Sequence, residues 1–304
     1  MGEMVGNGHL DGCSPVADKG VFVAVKALSK HIKYKSASDV VRLYPLGDLH
    51  LGHVLFDEDL FKETVAKIAD DPLAVWIGLG DMTECITRND FRHMESSYAP
   101  FLHGEDDVVQ VQRKRLLKLL TPIASQCIGY LEGNHELKLR QKDGRDIYQS
   151  VVEALISEGA EPPIALGAQG FVRLYLQRHT RTGRKAESWA YTVYARHGFG
   201  GGRLEGSLPL KLGRLLKSYL ADLYLFGHHH REVLLRGHRV SMKVGSDEIQ
   251  GTDVFMLGTG SFLKGYDETG KAEVYSESAG YSPLTIGAPT ILITPDNRQV
   301  QVVI

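Results

Sequence analysis

Apolar residues along the chain fall into short segments with two different rhythms. Val40 to Leu46 is β-branched and apolar and runs directly into Gly47-Asp48, the signature of a strand that ends in a turn. Phe56 to Ala69 places Leu60, Phe61, Val65, Ile68 and Ala69 at helical spacing, with acidic residues in the first turn. Leu73 to Leu79 is a continuous apolar run ending at Gly80-Asp81, as expected of a strand covered on both faces. Leu116 to Leu120 reads as helix. Ala124 to Leu131 reads as another buried strand, leading into Glu132-Gly133-Asn134-His135-Glu136. Asp146 to Leu155 is again helical. Gly170 to Leu176 and Trp189 to Ala195 read as two strands joined by a basic hairpin, the second ending at Arg196-His197-Gly198. Leu208 to Leu220 is helical, and Asp222 to Phe226 is a short strand ending at Gly227-His228-His229-His230. After it, Glu232 to Leu235, Val254 to Leu257, Thr290 to Ile293 and Val300 to Ile304 read as strands without helices between them.

Strand–helix alternation followed by a β-rich last third predicts a layered α/β domain, with the C-terminal segment building much of its second sheet. The expected organisation is a Gly-rich tail and edge segment over 1–39 and one domain over 40–304, with 231–304 completing the second sheet. Val21 to Leu28 is expected to pack on the domain edge as a short strand or helix. The 304 residues are 43% hydrophobic, and 35 basic against 37 acidic side chains leave a formal charge of −2. That balance excludes bulk disorder and gives no support to strong non-specific DNA binding. No apolar run approaches the roughly 18–20 residues of a membrane span, and the N-terminus lacks the layout of a signal peptide. Three widely spaced cysteines (Cys13, Cys85, Cys127) make neither a disulfide framework nor a thiolate zinc site. A cytoplasmic setting and no membrane partner are expected. The pattern neither requires nor excludes a homo-oligomer.

Histidine, at 13 residues, is abundant, and its placement matters more than its number. The strand ends deliver Asp48 and His50, then Asp81, then Asn134 and His135, then His197, then His228 and His230, each block adjoining a glycine. In α/β sheets ligands bind beyond the carboxyl ends of the strands. Side chains two apart in an extended segment face the same way, so Asp48/His50 and His228/His230 can each face one centre while His229 points elsewhere. Three oxygen donors and four imidazoles exceed the coordination of one ordinary ion and suit two ions sharing a carboxylate. Nitrogen and oxygen donors without thiolate favour Mn, Fe or Zn, with Mg less suited to so many imidazoles.

The ordered set Gly-Asp-Leu-His, Gly-Asp, Gly-Asn-His-Glu, His-Gly and Gly-His-His-His, spanning Gly47 to His230, resembles the calcineurin-like metallophosphoesterase superfamily. The resemblance implies a four-layered α/β/β/α sandwich with a dinuclear centre. Carried over position by position, it implies that Asp48, His50 and His230 hold one ion and Asn134, His197 and His228 the other, with Asp81 bridging. His135 would face the scissile phosphate and assist the leaving group. Two ions with a shared water could generate hydroxide near neutral pH and direct it at phosphorus. Arg88 or Arg92, just after the second block, could clamp a phosphate. The hairpin Arg178 to Lys185 could track a nucleic-acid backbone, and Tyr266, Tyr275 and Tyr281 could stack a base.

Ser/Thr protein phosphatases share Gly-Asn-His-Glu but carry Gly-Asp-x-Val-Asp-Arg-Gly in the second block. Here that block is Gly80-Asp81-Met82-Thr83-Glu84-Cys85, which argues against a protein phosphatase. The first block, Asp48-Leu49-His50-Leu51-Gly52, resembles the Asp-x-His-Leu-Gly of the DNA-end-processing exonuclease branch. The expected activity is phosphoester hydrolysis, with phosphodiesters of nucleic acid or nucleotide preferred. A small-molecule phosphomonoesterase is the alternative, and a non-catalytic scaffold on the same fold a more distant one.

Overall fold

A computed structural model of the chain describes residues 25–88, 90, 92–179, 188–200, 206–243, 245–266 and 286–304. The Gly-rich tail up to residue 24, the hairpin from residue 180 to 187, and Tyr275 and Tyr281 lie outside the described residues.

The strands are β1 (Lys26–Tyr34), β2 (Val41–Leu46), β3 (Ala74–Gly78), β4 (Cys127–Leu131), β5 (Ala165–Gly167), β6 (Gln169–Arg178), β7 (Ser188–Arg196), β8 (Leu223–Phe226), β9 (Glu232–Met242), β10 (Ile249–Thr259), β11 (Thr290–Thr294) and β12 (Gln299–Val303). The helices are α1 (Glu58–Ala69), α2 (Val108–Leu120), α3 (Asn134–Asp143), α4 (Ile147–Ser157) and α5 (Ser207–Ser218). Two mixed six-stranded sheets result. Sheet I has the order β1-β6-β7-β8-β10-β9, and sheet II the order β12-β11-β2-β3-β4-β5.

Strand alternation explains why the apolar runs are continuous. In β3, Val75 and Ile77 face sheet I, while Ala74 and Trp76 face the helices. In β8, Leu223 and Leu225 join the same inter-sheet core, whereas Tyr224 and Phe226 pack with Leu208, Leu212 and Leu215 of α5. Helices α1, α2 and α4 cover sheet II through Phe61, Ile68, Leu116, Leu120, Val151 and Leu155. The order of layers is therefore helices, sheet II, sheet I, helix: an α/β fold of two mixed sheets flanked by helices. Among the described residues no helix is long and apolar enough to cross a membrane.

Several elements depart from the sequence expectation. The stretch 231–304 does not complete one sheet. Instead β9 and β10 extend sheet I beside β8, and β11 and β12 extend sheet II beside β2. Apolar patterning marks such strands without saying which edge they join. The Ala124 to Leu131 run is strand only from Cys127. Thr121–Gln126 is a 3₁₀ segment with Pro122 at its start, which tightens the exit from α2. Helix α2 itself begins at Val108, where the Asp107 carboxylate accepts from the Gln110 amide. Helix α3 was not expected, because its sequence carries no apolar stripe and buries only Glu136 and Leu139. Of the expected edge segment, residues 21–24 lie outside the described residues; its end, from Lys26, opens the strand β1, which runs on to Tyr34 and pairs parallel to β6.

Candidate metal centre

The strand ends of the two sheets converge on one point. Asp48 and His50 follow β2, Asp81 follows β3, and Asn134 opens α3 directly after β4. His197 follows β7, and His228 and His230 follow β8. Two glycines let these ends approach. A Cβ on Gly133 would lie 2.0 Å from the Asp81 amide nitrogen, and one on Gly80 would lie 2.5 Å from the Gly133 nitrogen.

The backbone reaches this geometry by a route that extended alternation does not describe. Asp48, His50, Asp81, His228 and His230 all have positive φ, between 49° and 70°. Non-glycine residues rarely occupy this left-handed region, and each such residue costs on the order of 1–3 kcal/mol. His229, between two of them, turns away: its Nε2 accepts from Lys211 Nζ at 3.0 Å and its ring stacks on Phe226. His53 likewise takes no part, its Nδ1 accepting from the Leu55 amide.

Among the described residues three groups have potential ligand atoms within 4.8 Å of one another: Asp48, His50 and His230; Asp81, His197 and His228; and His50, Glu84 and His135, which shares His50 with the first. Asn134 Oδ1 sits 3.0 Å from His197 Nε2, at the edge of the second group. Asp81 lies between the first two groups, its Oδ2 being 3.2 Å from His197 Nε2 and 3.9 Å from His50 Nε2. Its other oxygen accepts from the His135 amide at 2.9 Å.

Hydrogen bonds fix the tautomers. A carbonyl or carboxylate can only accept, so His50 Nδ1 donates to Glu84 Oε2 at 2.7 Å and His197 Nδ1 donates to the Leu79 carbonyl at 2.7 Å. Both rings thereby turn Nε2 towards the centre, as histidine ligands do when braced from behind. Asp81 is braced through its backbone. The carboxylate of Glu136 accepts from the amides of Asp81, Met82, Thr83 and Gly133.

The donor set fits a divalent cation. Asp48 Oδ1 is buried without a hydrogen-bond partner, and the Nε2 atoms of His50 and His230 face each other at 3.1 Å. Acceptors converging in this way call for a positive charge. Without an ion, the imidazoles divide that work unequally. Burial opposes charge on His197, but Asp81 overrides it and raises the ring to about 10. Burial, then the neighbouring His197, lowers His228 to about 4. Burial would raise the Glu84 carboxyl, yet His135 and His50 pull it down to about 2. Burial likewise opposes ionisation of Asp81, but the surrounding imidazoles hold it well below the usual carboxylate range.

His135 stands at the edge of the cluster, its ring 4.7 Å from that of His50 and edge-on to it. Its Nδ1 donates to the Glu84 carbonyl at 2.5 Å, and its Nε2 lies 3.3 Å from Arg92 Nη1. Asp90 grips the remainder of the Arg92 guanidinium, accepting from Nε and Nη2. Arg92 therefore reaches the site, whereas Arg88 is exposed and its charge is felt at Tyr98. Sequence reading missed Glu84, which braces His50 from 34 residues away and contacts His135. It also gave Glu136 no role.

No family model matches the chain, and no curated relative does. Solved structures similar to it include a predicted phosphoesterase from Streptococcus pneumoniae, 10% identical, covering 86% of this chain and 94% of that one with a TM-score of 0.31. A metallophosphoesterase from Sphaerobacter thermophilus is 12% identical, with 87% of each chain covered and a TM-score of 0.38.

Proposed function

We propose that the chain is a phosphoesterase that works with two divalent ions and hydrolyses phosphodiesters of nucleic acid or nucleotide. One observation carries this reading: a single carboxylate oxygen, Asp81 Oδ2, faces imidazole nitrogens of both ligand groups at 3.2 and 3.9 Å. Asp48, His50 and His230 would hold one ion, and Asn134, His197 and His228 the other, with Asp81 shared. Mn is the favoured metal, with Fe, Zn or Mg as substitutes, because the donors are imidazole and oxygen without thiolate. Bound there, such ions supply Lewis acidity and lower the pKa of a water.

The side chains supply the remaining chemistry. Glu84 keeps the His50 proton on Nδ1, so Nε2 offers a lone pair to the centre. The Glu84 carbonyl does the same for His135, which leaves His135 Nε2 facing outwards beside Arg92 Nη1. With the ring protonated on both nitrogens, an oxygen bridging Nε2 and Arg92 Nη1 would accept from both, and it is the leaving-group oxygen that gains charge as the P–O bond breaks. Burial opposes a proton on His135, but Asp81 and Glu84 outweigh it and raise its pKa. The ring is thus poised to hand a proton to that oxygen.

The test is hydrolysis of bis-p-nitrophenyl phosphate and p-nitrophenyl phosphate by chelator-treated protein with Mn²⁺ restored, together with elemental analysis. Metal-dependent turnover favouring the diester is expected, with close to two ions per chain. Substituting His135→Ala should lower kcat by about 10²–10⁴-fold with the metal content retained. A folded, metal-loaded chain that turns over neither ester would end the proposal, and a reproducible single ion would end its dinuclear form.

A further inference from the structure

On the far side of His135 from the ligand groups lies a small cleft, open to solvent. One wall is a face of α3: His135, Lys138, Leu139 and Lys142, spaced three, four and seven residues apart, all line it. The other wall is the segment after β3, with Cys85, Thr87, Asp90 and Arg92. Asp143 completes it. Three cations (Arg92, Lys138 and Lys142) thus face two carboxylates, one of which, Asp90, is gripped by Arg92 and lies 3.7 Å from Lys142 Nζ. The Asp90 clamp also sets the orientation of Arg92, so Nη1 points to His135 rather than away from it. Basic charge continues along α3 from His135, whose Nε2 faces Arg92.

The geometry points to a second anion site: the cleft binds a phosphate carried by the leaving group, with Lys138 and Lys142 as its cationic walls. This rests on the phosphoesterase reading and narrows its substrate class to esters whose departing half is itself phosphorylated. In the reaction water adds to phosphorus, the P–O bond to the departing half breaks, and that oxygen takes the proton at His135. The anion in the cleft stays intact and fixes where the leaving oxygen lies. The next phosphate of a polynucleotide and a terminal phosphate on a small nucleotide share this chemistry.

The experiment compares two diesters of equal intrinsic reactivity, methyl 4-nitrophenyl phosphate and its analogue bearing a phosphonomethyl group on the aryl ring. The charged probe should show a kcat/KM about tenfold higher or more, as for one charged hydrogen-bonding contact, and the preference should shrink with added salt. In the doubly substituted Lys138→Gln/Lys142→Gln protein the ratio should return towards one. A ratio that starts at one, or survives the double substitution, overturns the proposal. If neither diester is turned over, the phosphoesterase reading fails on its own. The cleft is then tested by calorimetry with phosphonomethylphenol, whose affinity should drop about tenfold or more in the double variant, and equal affinity overturns it. Dithymidine monophosphate with and without a 5′- or 3′-terminal phosphate, beside a longer oligothymidylate, distinguishes the sources. A gain restricted to the short ester assigns a small nucleotide, and a gain shared by the oligomer assigns a polynucleotide.

Discussion

The two sheets bring different chemistry to the centre. Sheet II supplies every oxygen donor, Asp48, Asp81 and Asn134, and one imidazole, His50, from the ends of β2, β3 and β4. Side chains of its own connecting segments brace them, Glu84 behind His50 and Glu136 behind the Asp81 turn. Sheet I supplies imidazoles alone, and His197 is braced by the main-chain carbonyl of Leu79, which belongs to the opposite sheet. The Asp48, His50 and His230 group and the Asp81, His197 and His228 group each take members from both sheets. Charge is therefore concentrated on one side, while the geometry of the other side depends on how the sheets pack.

The largest expected effect comes from the charge that both groups share. Asp81→Asn keeps the shape and removes the carboxylate, and should abolish turnover of bis-p-nitrophenyl phosphate and bring metal content below two ions per chain. Retained activity would mean that the oxygen between the groups is not a ligand. Next comes Glu84→Gln, which can still accept from His50 Nδ1 but removes the negative charge behind it. Metal affinity should fall roughly 10–100-fold, in one step of a two-step metal titration. Equal weakening of both steps would erase the contrast between a side-chain brace and a main-chain brace.

Chelation tests the joining of the sheets. An ion present at 100 times its Kd stabilises by about 2.7 kcal/mol, so removal of both ions should lower Tm by about 5–10 °C. An unchanged Tm would mean that the ions do not tie the sheets together. The smallest effect is at high pH and belongs to the core of sheet II. Burial pushes the Cys127 thiol from 9.0 up to about 12. A folded value above the unfolded one favours the fold below pH 9 and loses that contribution as pH rises through 12. Tm should decline across that window, and Cys127→Ala should flatten the decline; an unaltered slope would assign it to the buried tyrosines instead.

The residues of the centre were legible in the sequence because they sit at strand ends in blocks that each adjoin a glycine and their order along the chain is distinctive. Their conformation was not. Two-residue alternation places Asp48 with His50 and His228 with His230 as if in extended chain, whereas the structure brings them together through left-handed turns. Glu84 and Glu136 could not be read, because bracing depends on contacts 34 and 55 residues apart that leave no local trace. The lysines of the cleft share a face only once Asn134–Asp143 is known to be helical, and that segment lacks the apolar stripe that reveals a helix. The C-terminal strands were visible as strands, but their division between the sheets rests on pairing register, which a period of two does not encode.

The left-handed turns have a consequence for how this protein can change over time. Five of its seven candidate ligands are held where glycine would rest comfortably and they do not, and two, Asp48 and Asp81, are buried carboxylates. Replacing Asp48 or His230 by glycine would relieve backbone strain while discarding the ligand. Drift unopposed by selection would then lead to a sturdier chain without these side chains, so the strained turns persist only as long as the side chains themselves are selected.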